Sequence, residues 1–320
     1  AIAVNVDVIK DILSVIGPIE LPEYKLTIGP DNFLTEVQKE VEEGENKVAG
    51  EPKRILKTLT PILFDRLSKL NDKEKKLLLE KLSERIDKKD IMIYFEEPVF
   101  KEHLIKLGVA GEVAVLSENF TGDYLAVVNA NVAGGKSDAF MDQKISFKMT
   151  LDPRGVIENR LEIERKHRGQ NEKEWWYKAT NKNFMQILAT PGSELIKMTG
   201  GASKGIKPLA NYSSFQKDPD LTDLERKDTF MFGKTAFSTW FDVKAGETKK
   251  LSLDYISPTK LNPALASQSY EFIFDKQSGV GGEVEFIFEA PEGFRWKESN
   301  SKTFRYASEN SPGRIVLRLN

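Results

Sequence analysis

The sequence contains no cysteine and only two histidines among its 320 residues. Without cysteine, the chain cannot form disulfides, thiolate metal sites or a cysteine nucleophile. His103 and His167 lie far apart and do not form the HExxH pattern, which places two zinc ligands on one face of a helix. The sequence therefore does not predict a catalytic transition-metal site.

Long apolar runs and an excess of charge of one sign are also missing. No apolar stretch approaches the roughly 18 residues that cross a bilayer as a helix, and the first residues lack the basic segment of a signal peptide. The 47 basic and 49 acidic side chains nearly cancel, which argues against nucleic acid as a partner. With 40% hydrophobic and 30% charged residues, the chain has a globular composition and enough length for two or three domains.

The first 118 residues show helical periodicity interrupted by short strand-like segments. Residues 1–6 are typical of a buried strand, and helical patterns follow at residues 7–16 and 32–43. Between residues 52 and 89, apolar side chains recur at three- and four-residue spacings, which predicts two amphipathic helices. We predict an α/β segment over residues 1–118. Its abrupt, strand-like beginning predicts that it is part of a larger domain begun upstream.

Beyond Asn119, the apolar period changes to the two-residue alternation of strands. Ile145 to Leu151 and Ile157 to Ile163 alternate on either side of a turn, which predicts a long hairpin. Further strand-like segments, separated by Gly, Pro, Asn and Asp clusters, predict an immunoglobulin-like β-sandwich over residues 119–258. Four more predict a small terminal all-β unit over residues 268–320, with completion of the first sandwich as the alternative. The predicted fold class is α+β multidomain.

The segment Ala130 to Ser137, ANVAGGKS, matches a loose form of the phosphate-binding loop of NTPases. That chemistry needs a helix beginning at the Lys-Ser pair and a second strand ending in an aspartate for magnesium. The residues after Ser137 instead alternate as a strand does, so the sequence favours a glycine-rich turn. A second GKT, at Gly233 to Thr235, has Asp228 in place of the first glycine of the motif and matches less well.

Two further clusters are candidate binding sites. An acidic run supplies enough oxygen ligands for a weak calcium site, although its spacing does not match the EF-hand loop and a solvated loop is the alternative. The candidate calcium ligands are Asp218, Asp220 and Asp223. No other cofactor is predicted.

The segment from Trp175 to Tyr177 is typical of a strand with aromatic side chains on both faces. One face would enter the core, and the other would offer a flat platform for a sugar ring or a partner protein. Core packing alone is the alternative. The candidate binding residues are Trp175, Trp176, Asn131, Lys136 and Asp138. No catalytic set is recognisable, because paired carboxylates are too abundant to single out one acid-base pair.

Several segments resemble a bacterial family of predicted cell-envelope proteins, domain of unknown function four-zero-one-two. AIAVNVDVIKDILSVIGPIEL resembles its strand-helix segment, and DYLAVVNANVAGGKSD resembles its most recognisable stretch. NFMQILATPGSELI, GKTAFSTWFDVKAGETKKLSLDY and YEFIFDKQSGVGGEVEF follow in the expected order. The resemblance implies an extracytoplasmic location at the bacterial cell surface. It also implies a membrane anchor in an upstream segment that this chain lacks.

The first forty residues are also similar to LytR-CpsA-Psr ligases, which attach glycopolymers to peptidoglycan. The acidic and arginine residues of those enzymes do not map onto this sequence residue by residue. We therefore expect a non-enzymatic binding or scaffold module for an envelope protein or a glycan. A LytR-CpsA-Psr-like phosphotransferase acting on lipid-linked glycopolymer is the alternative. The sequence does not predict the oligomeric state.

Overall fold

The computed structural model describes residues 1–204, 228–262, 265 and 268–320. The chain divides between Glu112 and Val113 into two compact units, and each unit has a hydrophobic core of its own. We call residues 1–112 the first unit and residues 113–320 the second unit. Among the described residues, no helix combines the length and apolarity needed to cross a membrane.

Helices account for most of the first unit, as their periodicity predicts. Their apolar faces share one core, to which Leu13, Val37 and Leu59 contribute buried side chains. A complete capping box between Asn71 and Glu74 fixes the start of one of them. The helices are α1 (Val6–Ile16), α2 (Phe33–Glu43), α3 (Glu45–Val48), α4 (Arg54–Ser68), α5 (Asp72–Asp87) and α6 (Pro98–Lys106).

Four short strands complete the described part of the first unit. The start of the chain forms the strand β1 (Ile2–Val4), but the prediction that this strand is buried is wrong, since all three residues are exposed. It pairs antiparallel with β4 (Ile91–Ile93). A second antiparallel pair is formed by β2 (Ile19–Leu21) and β3 (Leu26–Ile28). The partner of the first strand therefore lies within this chain.

Arg85 of α5 holds together three elements of the first unit. Its Nε donates to Asp11 Oδ2 of α1 at 2.6 Å, and its Nη1 donates to Asp90 Oδ2, just before β4, at 3.2 Å. Asn5 Nδ2 donates to the other oxygen of Asp90 at 2.9 Å. Burial alone would raise the pKa of Asp11, but the hydrogen bond and charge of Arg85, with Lys81 nearby, outweigh it and lower that pKa.

Strands dominate the described part of the second unit. Their bounds are β5 (Gly122–Asn131), β6 (Met141–Leu151), β7 (Val156–His167), β8 (Asn181–Ala189), β9 (Glu194–Thr199), β10 (Asp228–Met231), β11 (Lys234–Val243), β12 (Thr248–Lys260), β13 (Tyr270–Lys276), β14 (Glu283–Glu289), β15 (Thr303–Ser308) and β16 (Arg314–Leu319). Sheet I has the order β10-β11-β8-β5-β13-β16, and sheet II has the order β15-β14-β6-β7-β12-β9. The predicted hairpin is confirmed as β6 and β7, with Phe147 opposite Leu161.

Side chains from both sheets fill one core, so the sheets face each other as a β-sandwich. Leu125 and Val127 of sheet I and Ile145 and Phe147 of sheet II belong to the same buried cluster. The rings of Phe147 and Phe272 stack across the core with centroids 4.8 Å apart. The alternation of apolar and polar residues along β6 therefore sets which face of that strand enters the core.

The last four strands complete this sandwich, and the prediction of a separate terminal all-β unit is wrong. β13 pairs parallel with β5 in sheet I, and β14 pairs parallel with β6 in sheet II. Both sheets are therefore mixed. The physical reason is that β5 and β6 would each leave an unpaired edge beside the core without these partners. The β-rich α+β fold with more than one unit is confirmed.

Candidate functional site

A cavity of about 540 Å³ lies in the second unit, where β8, β10 and β12 end and β11 begins. The segment 113–121 forms one wall. We call the cavity the Lys234 pocket, after its buried cation. Its lining combines two phenyl rings, four hydroxyl groups and three charged side chains: Phe120, Phe232, Ser117, Thr121, Thr190, Thr259, Glu118, Lys234 and Lys260.

A two-residue hairpin loop forms one edge of the pocket. Phe232 and Gly233 connect β10 to β11 with φ angles of 51° and 67°, and Met231 lies opposite Lys234 in the ladder. Positive φ at both loop positions is typical of a type I′ turn, whose twist matches that of the flanking strands. Glycine adopts this conformation readily, whereas a phenylalanine there is strained by roughly 1 kcal/mol. The strained residue holds a ring, 55% exposed, at the pocket edge.

Lys234 follows this loop and lies almost entirely out of solvent. Only 2% of its surface is exposed, its Nζ donates to the carbonyl oxygen of Ala114 at 2.8 Å, and the same Nζ lies 4.8 Å from the ring centroid of Tyr124. Burial lowers the pKa of Lys234, an effect that the negative charge of Asp275 opposes and the positive charge of Arg314 reinforces. The ammonium is thus desolvated and faces a carbonyl and an aromatic face.

Asp275 supplies the negative charge of this region. Its carboxylate accepts from Ala114 N at 2.9 Å, from the Tyr124 hydroxyl at 3.0 Å and from Arg314 Nη2 at 3.1 Å. Burial and the neighbouring carboxylate raise the pKa of the Tyr124 hydroxyl. Both backbone polar groups of Ala114 are therefore bonded, since its N–H donates to Asp275 and its carbonyl accepts from Lys234. These two hydrogen bonds fix the wall of the pocket against the outer face of sheet I.

A second buried carboxylate lies behind the pocket floor. Thr190, which lines the pocket, donates to Asp123 Oδ1 at 3.2 Å, and the Tyr270 hydroxyl donates to Asp123 Oδ2 at 3.0 Å. Asp123 has no exposed surface, and burial raises its pKa although these hydrogen bonds oppose the shift. The Thr190 hydroxyl thus connects the pocket to an acidic group inside the sandwich.

The described lining of the pocket combines hydroxyl groups with a buried lysine. Its hydroxyls belong to serine and threonine, and no histidine lies among the lining residues to activate one of them. Across the described ranges, no group of three or more histidine, aspartate or glutamate side chains is placed to hold a metal ion. The predicted calcium ligands Asp218, Asp220 and Asp223 lie outside the described residues.

The structure brings together the other predicted binding residues, which come from two distant segments. The backbone N–H of Lys136 donates to the carbonyl of Trp176 at 2.9 Å. Asn131 Nδ2 donates to Ser137 Oγ at 3.3 Å within the turn, and Asp138 Oδ1 accepts from Asn181 Nδ2 at 2.8 Å. The turn and the tryptophan pair are therefore adjacent, and these particular contacts order the turn.

The tryptophan pair does not lie on a strand, so that prediction is wrong. Residues Trp175–Lys178 form a short helix, α7, in which Trp176 and Tyr177 are buried and Trp175 is 65% exposed. Tyr177 packs edge-on against Phe140, with ring centroids 4.8 Å apart. The aromatic content is typical of strands, but burial against the segment before β6 determines the conformation here. Trp175 is the one tryptophan of the pair with a largely exposed ring.

The resemblance of Ala130 to Ser137 to a phosphate-binding loop does not extend to its structure. Ser137 begins a single 3-10 turn, Ser137–Phe140, and β6 follows at Met141. The Ser137 hydroxyl is buried and donates to the carbonyl of Gly134 at 2.8 Å. The preferred interpretation, a glycine-rich turn between strands, agrees with this geometry.

Sequence reasoning missed the Lys234 pocket, although it noticed the GKT at Gly233 to Thr235. A signal was present: a two-residue Phe-Gly loop separates strand-like segments and is followed directly by a lysine. The usual sequence of a type I′ turn is Asn-Gly or Asp-Gly. Because a disfavoured phenylalanine occupies the first position here, the loop does not match that pattern. The contact of Lys234 with Ala114 spans 120 residues and has no local signature.

No family model and no curated protein matches the chain. A solved structure of a candidate nutrient binding protein from Legionella pneumophila is similar at a TM-score of 0.36 and 8% identity, over 62% of this chain and 71% of its own. A candidate protease from Parabacteroides distasonis has a TM-score of 0.28 and 12% identity, over 57% of this chain and 40% of its own. An M1 zinc metallopeptidase from Deinococcus radiodurans has a TM-score of 0.23 and 12% identity, over 56% of this chain and 42% of its own. TM-scores this low do not establish a shared fold.

Proposed function

We propose that this chain is an extracytoplasmic binding module of the bacterial envelope, without catalytic activity, and that its ligand is a glycan bound in the Lys234 pocket. The observation that carries the proposal is the composition of the lining. Two phenyl rings offer flat apolar faces to the C–H face of a sugar, and hydroxyl and charged side chains offer hydrogen bonds to its hydroxyl groups.

The location and the finer fold assignment are part of the same proposal. The resemblance to domain of unknown function four-zero-one-two supports a place at the cell surface, with a membrane anchor outside this chain. The two facing sheets support an immunoglobulin-like binding module. The alternative phosphotransferase gains no support from the pocket lining, which lacks a recognisable set of metal-binding carboxylates.

The first test compares the pocket with the exposed ring of Trp175, the other candidate contact. Phe232→Asn removes the ring at the pocket edge, and asparagine suits the left-handed turn better than phenylalanine, so the variant should fold at least as stably. Trp175→Ala removes the exposed ring of α7. Binding of soluble envelope glycan fragments to the whole chain is measured by calorimetry, with the thermal midpoint of each variant recorded beside it.

We expect Phe232→Asn to weaken glycan binding at least about tenfold without lowering the thermal midpoint, as loss of a stacked ring does at a binding site. Trp175→Ala should bind as the unaltered chain does. Loss of binding in Trp175→Ala alone would move the site to the turn beside α7. Binding of an envelope protein in place of any glycan would contradict the assigned ligand class.

A further inference from the structure

We infer that the Lys234 pocket selects a sugar that carries one carboxylate, such as a hexuronate, and that the carboxylate pairs with Lys234. This inference rests on the proposed function and names the ligand class for the same site. Its basis is the charge of the pocket lining, the donors that Lys234 has available, and the position of the two phenyl rings.

Lys234 is a buried cation among the residues that line the pocket. The nearby carboxylate Asp275 acts on Lys234 through its charge. Asp275 also accepts hydrogen bonds from two nitrogens of Arg314, so it is shared between two cations. A buried ammonium that lines a cavity favours an anionic ligand.

The charged side chains of the lining carry a net positive charge. Lys234 and Lys260 are cationic and Glu118 is anionic, which leaves a net charge of one. A carboxylate matches this charge, whereas the two charges of a phosphomonoester would exceed it. The pocket composition thus favours a monoanion over a phosphorylated sugar.

Lys234 also has hydrogen-bonding capacity for a ligand. An ammonium has three N–H donors. Within the described part of the chain, one donor is used on the carbonyl of Ala114, and the Nζ lies 4.8 Å from the ring centroid of Tyr124. A further N–H can donate to a carboxylate, and a hydrogen bond between two charged groups is roughly twice as strong as a neutral one.

The two phenyl rings of the lining favour a sugar over a small carboxylic acid as the ligand. Phe232 is exposed and strained at the pocket edge, and Phe120 lines the same cavity. Strain at an exposed residue is typical of functional positions, where the surrounding structure maintains a conformation that the residue alone would avoid. A ring at each of these positions lets the apolar face of a pyranose stack while its acidic group reaches Lys234.

The test uses the whole chain and three sugars that share the glucose ring: glucuronate, glucose and glucose 6-phosphate. Binding is measured by ligand-observed NMR at fixed pH and ionic strength. We expect glucuronate to bind at least about tenfold more tightly than glucose, because a desolvated charge pair contributes strongly to affinity. Glucose 6-phosphate should bind more weakly than glucuronate.

Two variants, each with a matched control, test the role of Lys234. Lys234→Met keeps the apolar stem and should remove the preference for glucuronate, whereas Lys166→Met, at an exposed lysine of β7, should keep it. Glu118→Gln removes the single rim carboxylate and should tighten glucuronate binding about two- to fivefold. Glu309→Gln, an exposed glutamate outside the pocket, is its matched control and should change nothing.

Each outcome decides between the proposals. Equal binding of glucose and glucuronate would overturn the carboxylate inference and leave the proposed glycan function in place. A preference that survives in Lys234→Met, or that Glu118→Gln does not increase, would overturn the assignment to Lys234. Tighter binding of glucose 6-phosphate would replace the monoanion with a phosphorylated ligand. Absence of binding by all three sugars would overturn the inference, and together with failure of the envelope glycans it would overturn the proposed function.

Discussion

Asp123 is a carboxyl group placed where water cannot reach it. It lies on the inner face of β5 with no exposed surface, and the hydroxyls of Thr190 and Tyr270 are among the groups that donate hydrogen bonds to it. Burial disfavours the charged form and raises the pKa of Asp123. A group whose pKa is higher in the folded state stabilises the fold below its unfolded pKa, and that contribution is lost as the pH rises through the folded pKa.

We therefore expect Asp123→Asn to change how stability depends on pH. Asparagine resembles the protonated carboxyl, so the variant should gain stability relative to the unaltered chain as the pH is raised from 4 to 8, by about 1.4 kcal/mol for each unit of pKa shift removed. Urea unfolding followed by tryptophan fluorescence measures this. All four tryptophans lie in the second unit, so the signal reports on the sandwich. Parallel stability curves for the two proteins would mean that Asp123 has the same pKa folded and unfolded.

At the scale of single elements, Arg85 is the clearest determinant of packing in the first unit. It joins α1, α5 and the start of β4 through Asp11 and Asp90, and all three side chains are largely out of solvent. Substituting Arg85 leaves two carboxylates without their principal cation. Because the pKa of Asp11 is lowered in the folded state, the stability that this pair contributes is lost as the pH falls below about 4.

Arg85→Met should destabilise the first unit by roughly 2–4 kcal/mol, since breaking a largely buried ion pair leaves uncompensated charge. Lys69→Met is the matched control, because it breaks the exposed pair between Lys69 and Asp65 and should cost about 0–1 kcal/mol. Helical circular dichroism during thermal unfolding measures both. A similar effect of the two variants would show that Arg85 acts as an ordinary surface charge.

Elements with a strong local period are predictable from this sequence. The spacing of apolar residues in α4 and α5 and the alternation along β6 and β7 each match one structure only. The helix α7 was missed because three consecutive aromatic residues have strand propensity, whereas their conformation depends on burial against Phe140. The candidate turn was found, but the Lys234 pocket was not, because it depends on contacts such as Lys234 with Ala114.

At the scale of the whole molecule, the pairing of distant strands is the least predictable feature. Sequence patterns indicated that β13 to β16 exist but did not indicate that they enter the sheets of β5 and β6. Strand pairing is set by edges and core complementarity, which a local window does not contain. The prediction of a separate terminal unit failed for this reason.

Removal of residues 268–320 should therefore unfold the entire sandwich and leave the first unit intact. The deletion takes away Phe272 and Phe286 from the common core and exposes the edges of β5 and β6. We expect the cooperative tryptophan fluorescence transition to disappear while the helical signal of residues 1–112 persists. A chain of residues 113–320 is the control and should retain the transition. A cooperative transition in the deletion variant would mean that the terminal strands are dispensable.

The parallel pairing of β5 with β13 also constrains the order of events during synthesis. Gly122 meets Glu271, which leaves the ribosome about 150 residues later, an interval of roughly 10–30 s at ordinary elongation rates. The first unit is complete before β5 is made, so it can fold while the sandwich strands still lack partners. During that interval, apolar strands such as β5 and β6 lack the partners that cover their edges, which exposes the nascent second unit to aggregation.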